Sequence, residues 1–123
     1  EQIRVQLASS LIAVLCQNLL PRQDIRGMIA AFEFMVVTNA IGNLIRENKV
    51  FRIPSSIQTG KKFGMRLMDE HLFRLYCEGK IVAEDAIDRS QSPGEVSDKI
   101  KAFNAGQLAG PGEEGETPDE LRK

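Results

Sequence analysis

The sequence predicts an α+β fold that is mostly helical, with one β-hairpin ahead of a series of short helices. The apolar segment 13–20 has the length of a buried strand, and segment 28–37 is also rich in β-branched and aromatic residues. Between them, Pro21 to Gly27 carries turn residues. From residue 39 onward, apolar residues recur at helical spacing. These three observations favour a hairpin followed by helices.

Composition and charge narrow the class of protein. The chain has 123 residues, of which 42% are hydrophobic and 27% are charged, as in a soluble globular domain. It contains no apolar run of the roughly 18 residues that a membrane span needs and no signal-peptide pattern. The formal charge is −1, with five acidic and two basic residues in 104–123, so residues 1–103 carry +2. We therefore expect a cytoplasmic protein that neither inserts into a membrane nor binds nucleic acid.

The first 37 residues predict a helix and two strands. Residues 2–12 place Ile3, Leu7 and Leu11 at four-residue spacing, which indicates a short helix or the end of a longer one. Segment 28–37 is apolar on both faces except at Glu33, and such strands belong inside sheets that are covered on both sides. The sheet to which this hairpin belongs is therefore expected outside the chain, which we take for part of a longer protein.

Glu33 is a carboxylate in an apolar strand, and it needs a partner because burial of an unpaired charge is costly. Arg22 or Arg26, across the hairpin, is the expected partner. An ordinary ion pair or a strand edge would explain Glu33 as well as a functional site would.

Residues 39–49 predict an amphipathic helix. Asn39 is expected to cap it, and Ile41, Leu44 and Ile45 form its apolar side. The opposite side is polar and carries Asn43, Arg46, Glu47 and Lys49.

The stretch Ser55 to Gly79 predicts the central helix. Ser55 and Gln58 have capping-box spacing, and Gly79 suits the left-handed residue that ends a helix. Gly60 and Gly64 weaken its first turns, so we expect a break or a close backbone contact there. One face is apolar and consists of Met65, Met68, Leu72, Leu75 and Tyr76. A packed core helix explains this face, whereas Gln58, Thr59 and Gly60, together with Glu33, are candidates for a polar site.

The end of the chain predicts two short helices and a tail. Ala83 to Ser90 forms the first, and Ser92 with Pro93 and Glu95 has the pattern of a helix start. Residues 104–123 contain four glycines, two prolines and seven charges, which predicts disorder.

No motif in the sequence completes an active site. GxxxxGK[ST], GxGxxG and GxSxG patterns are absent, and His71 with Cys16 and Cys77 forms no zinc-binding spacing. A basic set could bind phosphate or an acidic partner, or could be a solvated helix face. It consists of Lys49, Arg52, Lys61, Lys62 and Arg66. Residue chemistry alone therefore indicates an α-rich interaction or regulatory unit.

Three blocks in order carry a family resemblance: RVQLASSLIAVLCQNLLPR, RGMIAAFEFMVVTNAIGNLIRENK and SSIQTGKKFGMRLMDEHLFRLYCEGKI. Together they resemble the C-terminal part of the type IV pilus retraction ATPases of the PilT-like family, within the secretion ATPase superfamily. The resemblance runs from about Arg4 to Phe103. It implies a hexameric RecA-like motor for twitching motility, whose ATP and Mg²⁺ site lies before the part seen in this chain.

The resemblance also implies a domain organisation. Residues 1–37 would end the RecA-like ATPase core, 38–103 would form a helical C-terminal domain, and 104–123 would be a disordered tail. The chain itself would hold no cofactor, metal or catalytic residue. Its parent would assemble as a homo-hexamer beside the inner-membrane pilus machinery.

A family segment written AIRNLIRE, which is needed for retraction, matches a stretch of this chain. Here it is Ala40-Ile41-Gly42-Asn43-Leu44-Ile45-Arg46-Glu47, with Gly42 in place of the usual arginine and Asn39 in place of the usual proline. The resemblance thus implies a coupling helix. A pilus-assembly or type II secretion ATPase fragment, or a stand-alone helical adaptor, is the alternative.

Overall fold

A computed structural model describes residues 2–108 and shows a mostly helical chain with one two-stranded antiparallel hairpin. The helices are α1 Gln2–Ser10, α2 Asn39–Arg46, α3 Ile53–Thr59, α4 Met68–Cys77, α5 Ala83–Arg89 and α6 Pro93–Asn104. Short 3₁₀ turns occupy Val50–Arg52 and Lys61–Phe63. The predicted α+β class is therefore confirmed at this level. In the described part of the chain, no helix is both long and apolar enough to span a membrane.

The hairpin consists of β1, Ala13–Pro21, and β2, Met28–Val36, close to the predicted limits. Their register places Cys16 opposite Glu33. Arg22 and Asp24 form an ion pair of 2.6 Å in the connecting loop, and this pairing holds the pKa of Asp24 down to about 2. Gly27 closes the loop with a φ of 144°, a conformation that suits glycine.

β1 is open to solvent along most of its length. Leu20 is buried, but Leu15 and Leu19 are 63% and 54% exposed. On α1, Ile3 is 72% exposed, so much of the predicted apolar side of that helix also lacks a neighbour within residues 2–108. These exposed side chains fit the expectation of a larger sheet, and the RecA-like sheet itself stays a prediction.

The prediction of one central helix from Ser55 to Gly79 is wrong, because the segment is split into α3, a 3₁₀ turn and α4. The break falls at Gly60 and Gly64, as predicted, and Gly64 has a φ of 81°. The backbone of Arg66 pairs with Phe34 of β2, with N···O distances of 2.9 Å in both directions. Arg66 cannot form this extended bridge and be helical at the same time, so α4 begins only at Met68.

The predicted capping box is also wrong. α3 begins at Ile53 with Pro54 in its first turn, so Ser55 lies inside the helix and its position has no role as a cap. The predicted end of the segment is confirmed, since Gly79 has a φ of 75°.

Two apolar clusters hold the fold together. The larger one joins the hairpin to α4, α5 and α6 and consists of Leu20, Ala31, Met68, Leu72, Phe73, Leu75, Ile81, Ala86, Val96 and Ile100. The smaller one joins α1, α2 and α3 and consists of Ala8, Ile41, Ile45, Ile57 and Met65. The predicted apolar face of the central helix is therefore divided, because Met65 packs in the second cluster.

The C-terminal helices lie where they were predicted. α6 begins after Ser92, but the Ser92 side chain forms no capping hydrogen bond. At the other end of α6, the Tyr76 hydroxyl lies 2.7 Å from Oδ1 of Asn104 and donates to it. Most of the predicted disordered tail, from residue 109 onward, lies outside the described residues.

Candidate functional site

The exposed side of α2 presents two polar side chains that act as a unit. Arg46 Nη1 donates to Oδ1 of Asn43 at 2.8 Å, and both residues are exposed. The next residue, Glu47, pairs with Lys49 at 3.1 Å. Residues three and four apart share one side of a helix, so the AIGNLIRE sequence places these polar groups on one surface.

The opposite side of α2 anchors the helix. Ile41 is fully buried, Ile45 is 9% exposed and Leu44 is half-buried. Thr38, rather than the predicted Asn39, caps the helix: its Oγ1 accepts from the Ile41 N–H at 3.4 Å. α2 ends at Arg46 and not at Lys49, because Asn48 takes a φ of 58°.

Gly42 lies under the side chain of Arg46. A Cβ placed on Gly42 would be 3.7 Å from Nη1 of Arg46 and 3.8 Å from the carbonyl oxygen of Ala8 in α1. The guanidinium of Arg46 is thus folded back over Gly42.

The predicted polar site is only partly assembled. Glu33 and Gln58 line one cavity of about 240 Å³, together with Ser55, Asp69, Glu70, Gln91, Ser92, Glu95 and Lys99. Thr59 and Gly60 do not line it. The Thr59 hydroxyl donates to the carbonyl of Ser56 at 3.1 Å, and Gly60 packs closely against Met65.

Two carboxylates of this cavity accept hydrogen bonds from backbone N–H groups at the starts of two helices. Glu33 accepts the N–H of Met68 at 3.3 Å, which caps α4, since the apolar Leu67 at the cap position cannot do so. Asp69 accepts from the N–H groups of Gln91 and Ser92 at 2.8 and 3.0 Å, just before α6. The predicted pairing of Glu33 with Arg22 or Arg26 is therefore wrong. Within residues 2–108 no ion pair involves Glu33, and Arg22 is held by Asp24.

His71 joins α4 to the hairpin, a role that sequence analysis missed. Its Nδ1 accepts the N–H of Phe32 at 2.8 Å, and the two rings stack with centroids 5.9 Å apart. Burial lowers the pKa of His71, and the nearby charge of Arg66 lowers it further. No group of three or more metal-ligating side chains occurs among residues 2–108. A histidine at the buried side of an amphipathic helix was the one signal available in the sequence.

Comparison with known proteins gives the family. No family model matches the chain. A twitching motility protein of Neisseria gonorrhoeae is 42% identical over 97 residues, 79% of this chain and 26% of that protein. The type IV pilus retraction ATPase PilT of Pseudomonas aeruginosa is 41% identical over 91 residues, 74% of this chain and 26% of that protein. The chain thus spans about a quarter of the length of the curated relatives it matches.

A solved structure agrees with these relatives. The crystal structure of the pilus retraction motor PilT with bound ADP superposes with a TM-score of 0.67 at 35% identity, over 79% of this chain and 26% of that one. Sequence and fold together place the chain among segments of type IV pilus ATPases. More narrowly, it is a PilT-like segment that resembles the C-terminal part of those proteins.

Proposed function

We propose that the chain is the C-terminal part of a hexameric ATPase motor that drives type IV pilus retraction, and that α2 couples ATP hydrolysis to pilus movement. The observation that carries the proposal is the combined likeness in sequence and structure to the PilT retraction motor. The open β1 strand supports it, since strands with exposed apolar side chains belong in sheets that are covered on both faces.

The exposed side of α2 is suited to coupling because it contributes little to the fold. Asn43 and Arg46 contact each other and no apolar cluster, while Ile41 and Ile45 hold the helix in place. Substitutions at such exposed positions usually change the free energy of unfolding by less than about 0.5 kcal/mol. A partner can therefore use this surface without cost to stability.

The remaining parts of the proposal concern the parent protein. ATP and Mg²⁺ would bind to a part of the parent outside this chain, since the chain lacks a phosphate-binding loop. The parent would form a homo-hexamer in the cytoplasm, at the inner face of the inner membrane, next to the pilus machinery. A retraction role is favoured over pilus assembly or type II secretion because the similar relatives are named for twitching motility and retraction.

The test compares two activities in the same variants of the intact parent protein. Arg46→Ala and Asn43→Ala should each leave folding, hexamer formation and basal ATP turnover in place and should impair pilus-dependent surface movement. Because the two side chains are hydrogen-bonded, the double variant should be little worse than either single one. Lys101→Ala, at an exposed position of α6, is the matched control and should change neither activity.

Two results would contradict the proposal. Loss of ATP turnover and movement together would make this surface part of the catalytic assembly. No change in either would remove coupling from α2.

A further inference from the structure

A cluster of hydrogen-bond donors lies where α4 and the bridging residue Arg66 meet β2. Arg66, His71 and Arg74 line two solvent-open cavities of about 280 and 340 Å³ and form the wall that the cavities share. The other charged residues are Lys61 and Glu70 in the first cavity and Glu78 and Lys80 in the second. Neither the proposed coupling role nor the apolar clusters account for this arrangement.

The hydrogen bond to the hairpin fixes which nitrogen of His71 can donate. Nδ1 accepts the N–H of Phe32 at 2.8 Å, so in the neutral ring the proton is on Nε2. His71 is 9% exposed and lines both cavities. His71 therefore offers an N–H donor to the cavities while its other nitrogen remains bound to β2.

The backbone of Arg66 is fixed, but its guanidinium has no counterion among residues 2–108. Its backbone N–H and carbonyl both form hydrogen bonds with the backbone of Phe34, and the residue is half-buried. The carboxylates nearby already have partners. Glu70 lies 3.9 Å from Lys61, and Glu78 lies 3.0 Å from Arg74 and 2.9 Å from Lys80.

The charges around the two cavities leave an excess of two positive charges. Four cations (Lys61, Arg66, Arg74, Lys80) face two carboxylates (Glu70, Glu78), and four minus two is +2. A phosphate group carries about −1.5 to −2 at pH 7 and has oxygens that match the planar donors of arginine. A monocarboxylate would neutralise only half of this excess.

We propose that Arg66, His71 and Arg74 form a binding site for a phosphate dianion, either free inorganic phosphate or the phosphate group of a small phosphomonoester. Arg66 supplies the unpaired charge, Nε2–H of His71 a neutral donor and Arg74 a second guanidinium at the rim. Of the basic set that the sequence indicated, only Lys61 and Arg66 lie here. Lys49 is paired with Glu47, and Lys62 lies 5.1 Å from the ring centre of Phe63.

The test is a titration of the full chain with inorganic phosphate at constant ionic strength, followed by NMR. Saturable shifts are expected at the Phe32 amide, at the His71 ring and at Nε of Arg66. Acetate at the same ionic strength should give no saturable shift. A phosphomonoester such as glycerol phosphate separates the two sources: tighter binding than inorganic phosphate identifies the ester, and equal or weaker binding identifies the free anion.

Arg66→Gln should weaken phosphate binding by about tenfold, as expected for the loss of one charge-assisted contact. Arg74→Gln, at an exposed position, should weaken it less, because Arg74 is already paired with Glu78. Arg89→Gln, exposed on α5 and lining neither cavity, is the matched control and should bind as the unchanged chain does. Equal responses to acetate and phosphate, shifts that do not saturate, or unchanged binding by Arg66→Gln would each overturn the proposal.

Discussion

Gly42 is a position at which a side chain should strengthen the fold. Glycine inside a helix costs about 1 kcal/mol relative to alanine, since it loses more backbone freedom on folding. A Cβ at Gly42 would meet Arg46 and Ala8 at 3.7 to 4.0 Å, which is ordinary van der Waals contact. The φ of Gly42 is not positive, so alanine adopts the same backbone without strain.

We therefore expect Gly42→Ala to raise the free energy of unfolding of the full chain by about 1 kcal/mol. For a domain of about this size, that corresponds to an increase in Tm of roughly 4–8 °C. The measurement is thermal and denaturant unfolding, followed by far-UV circular dichroism.

Gly60→Ala is the matched control, because there the structure leaves no room. Its Cβ would lie 2.8 Å from Sδ of Met65 and 3.1 Å from the carbonyl oxygen of Ser56, and Met65 is itself buried. We expect a loss of about 1–3 kcal/mol, as for other overpacked sites. If Gly42→Ala lowers Tm, the packing described for α2 is wrong, and if Gly60→Ala raises Tm, the close contact of Gly60 with Met65 is wrong.

Three further predictions concern pH, capping and catalysis. Because burial lowers the pKa of His71 from 6.5, the unfolded chain binds this proton more tightly, so the stability of the fold should be full above pH 6.5 and fall as the pH drops below it. The free energy of unfolding of His71→Gln should depend less on pH than that of the unchanged chain, and an identical dependence would contradict this. Glu33→Ala should cost about 1 kcal/mol by removing the cap of α4, while Glu33→Gln, which keeps an acceptor, should cost less; equal losses would rule out capping. The chain alone should release no phosphate from ATP, since it has no loop to hold the β- and γ-phosphates; steady turnover by purified chain, free of contaminating ATPases, would refute this.

The sequence alone determined those elements whose signals are local. Apolar composition, turn residues and helical spacing were enough for the hairpin, α2, α5 and α6, and Gly79 was enough for the end of α4. Each of these signals acts between residues that are a few positions apart, and nothing distant in the chain opposes it. The matched blocks likewise indicated the family, because they depend on residue order and need no contact.

The tertiary structure decided where distant backbone groups find their partners. The segment Ser55–Gly79 has one apolar stripe, but pairing of Arg66 with Phe34 divides it between two clusters. Glu33 caps a helix 35 residues away instead of pairing with an arginine in its own hairpin. His71 is fixed by an amide 39 residues away, which selects Nε2 as its donor. Buried polar groups take whichever partner packing brings within hydrogen-bonding distance, and no periodicity in the sequence encodes that distance.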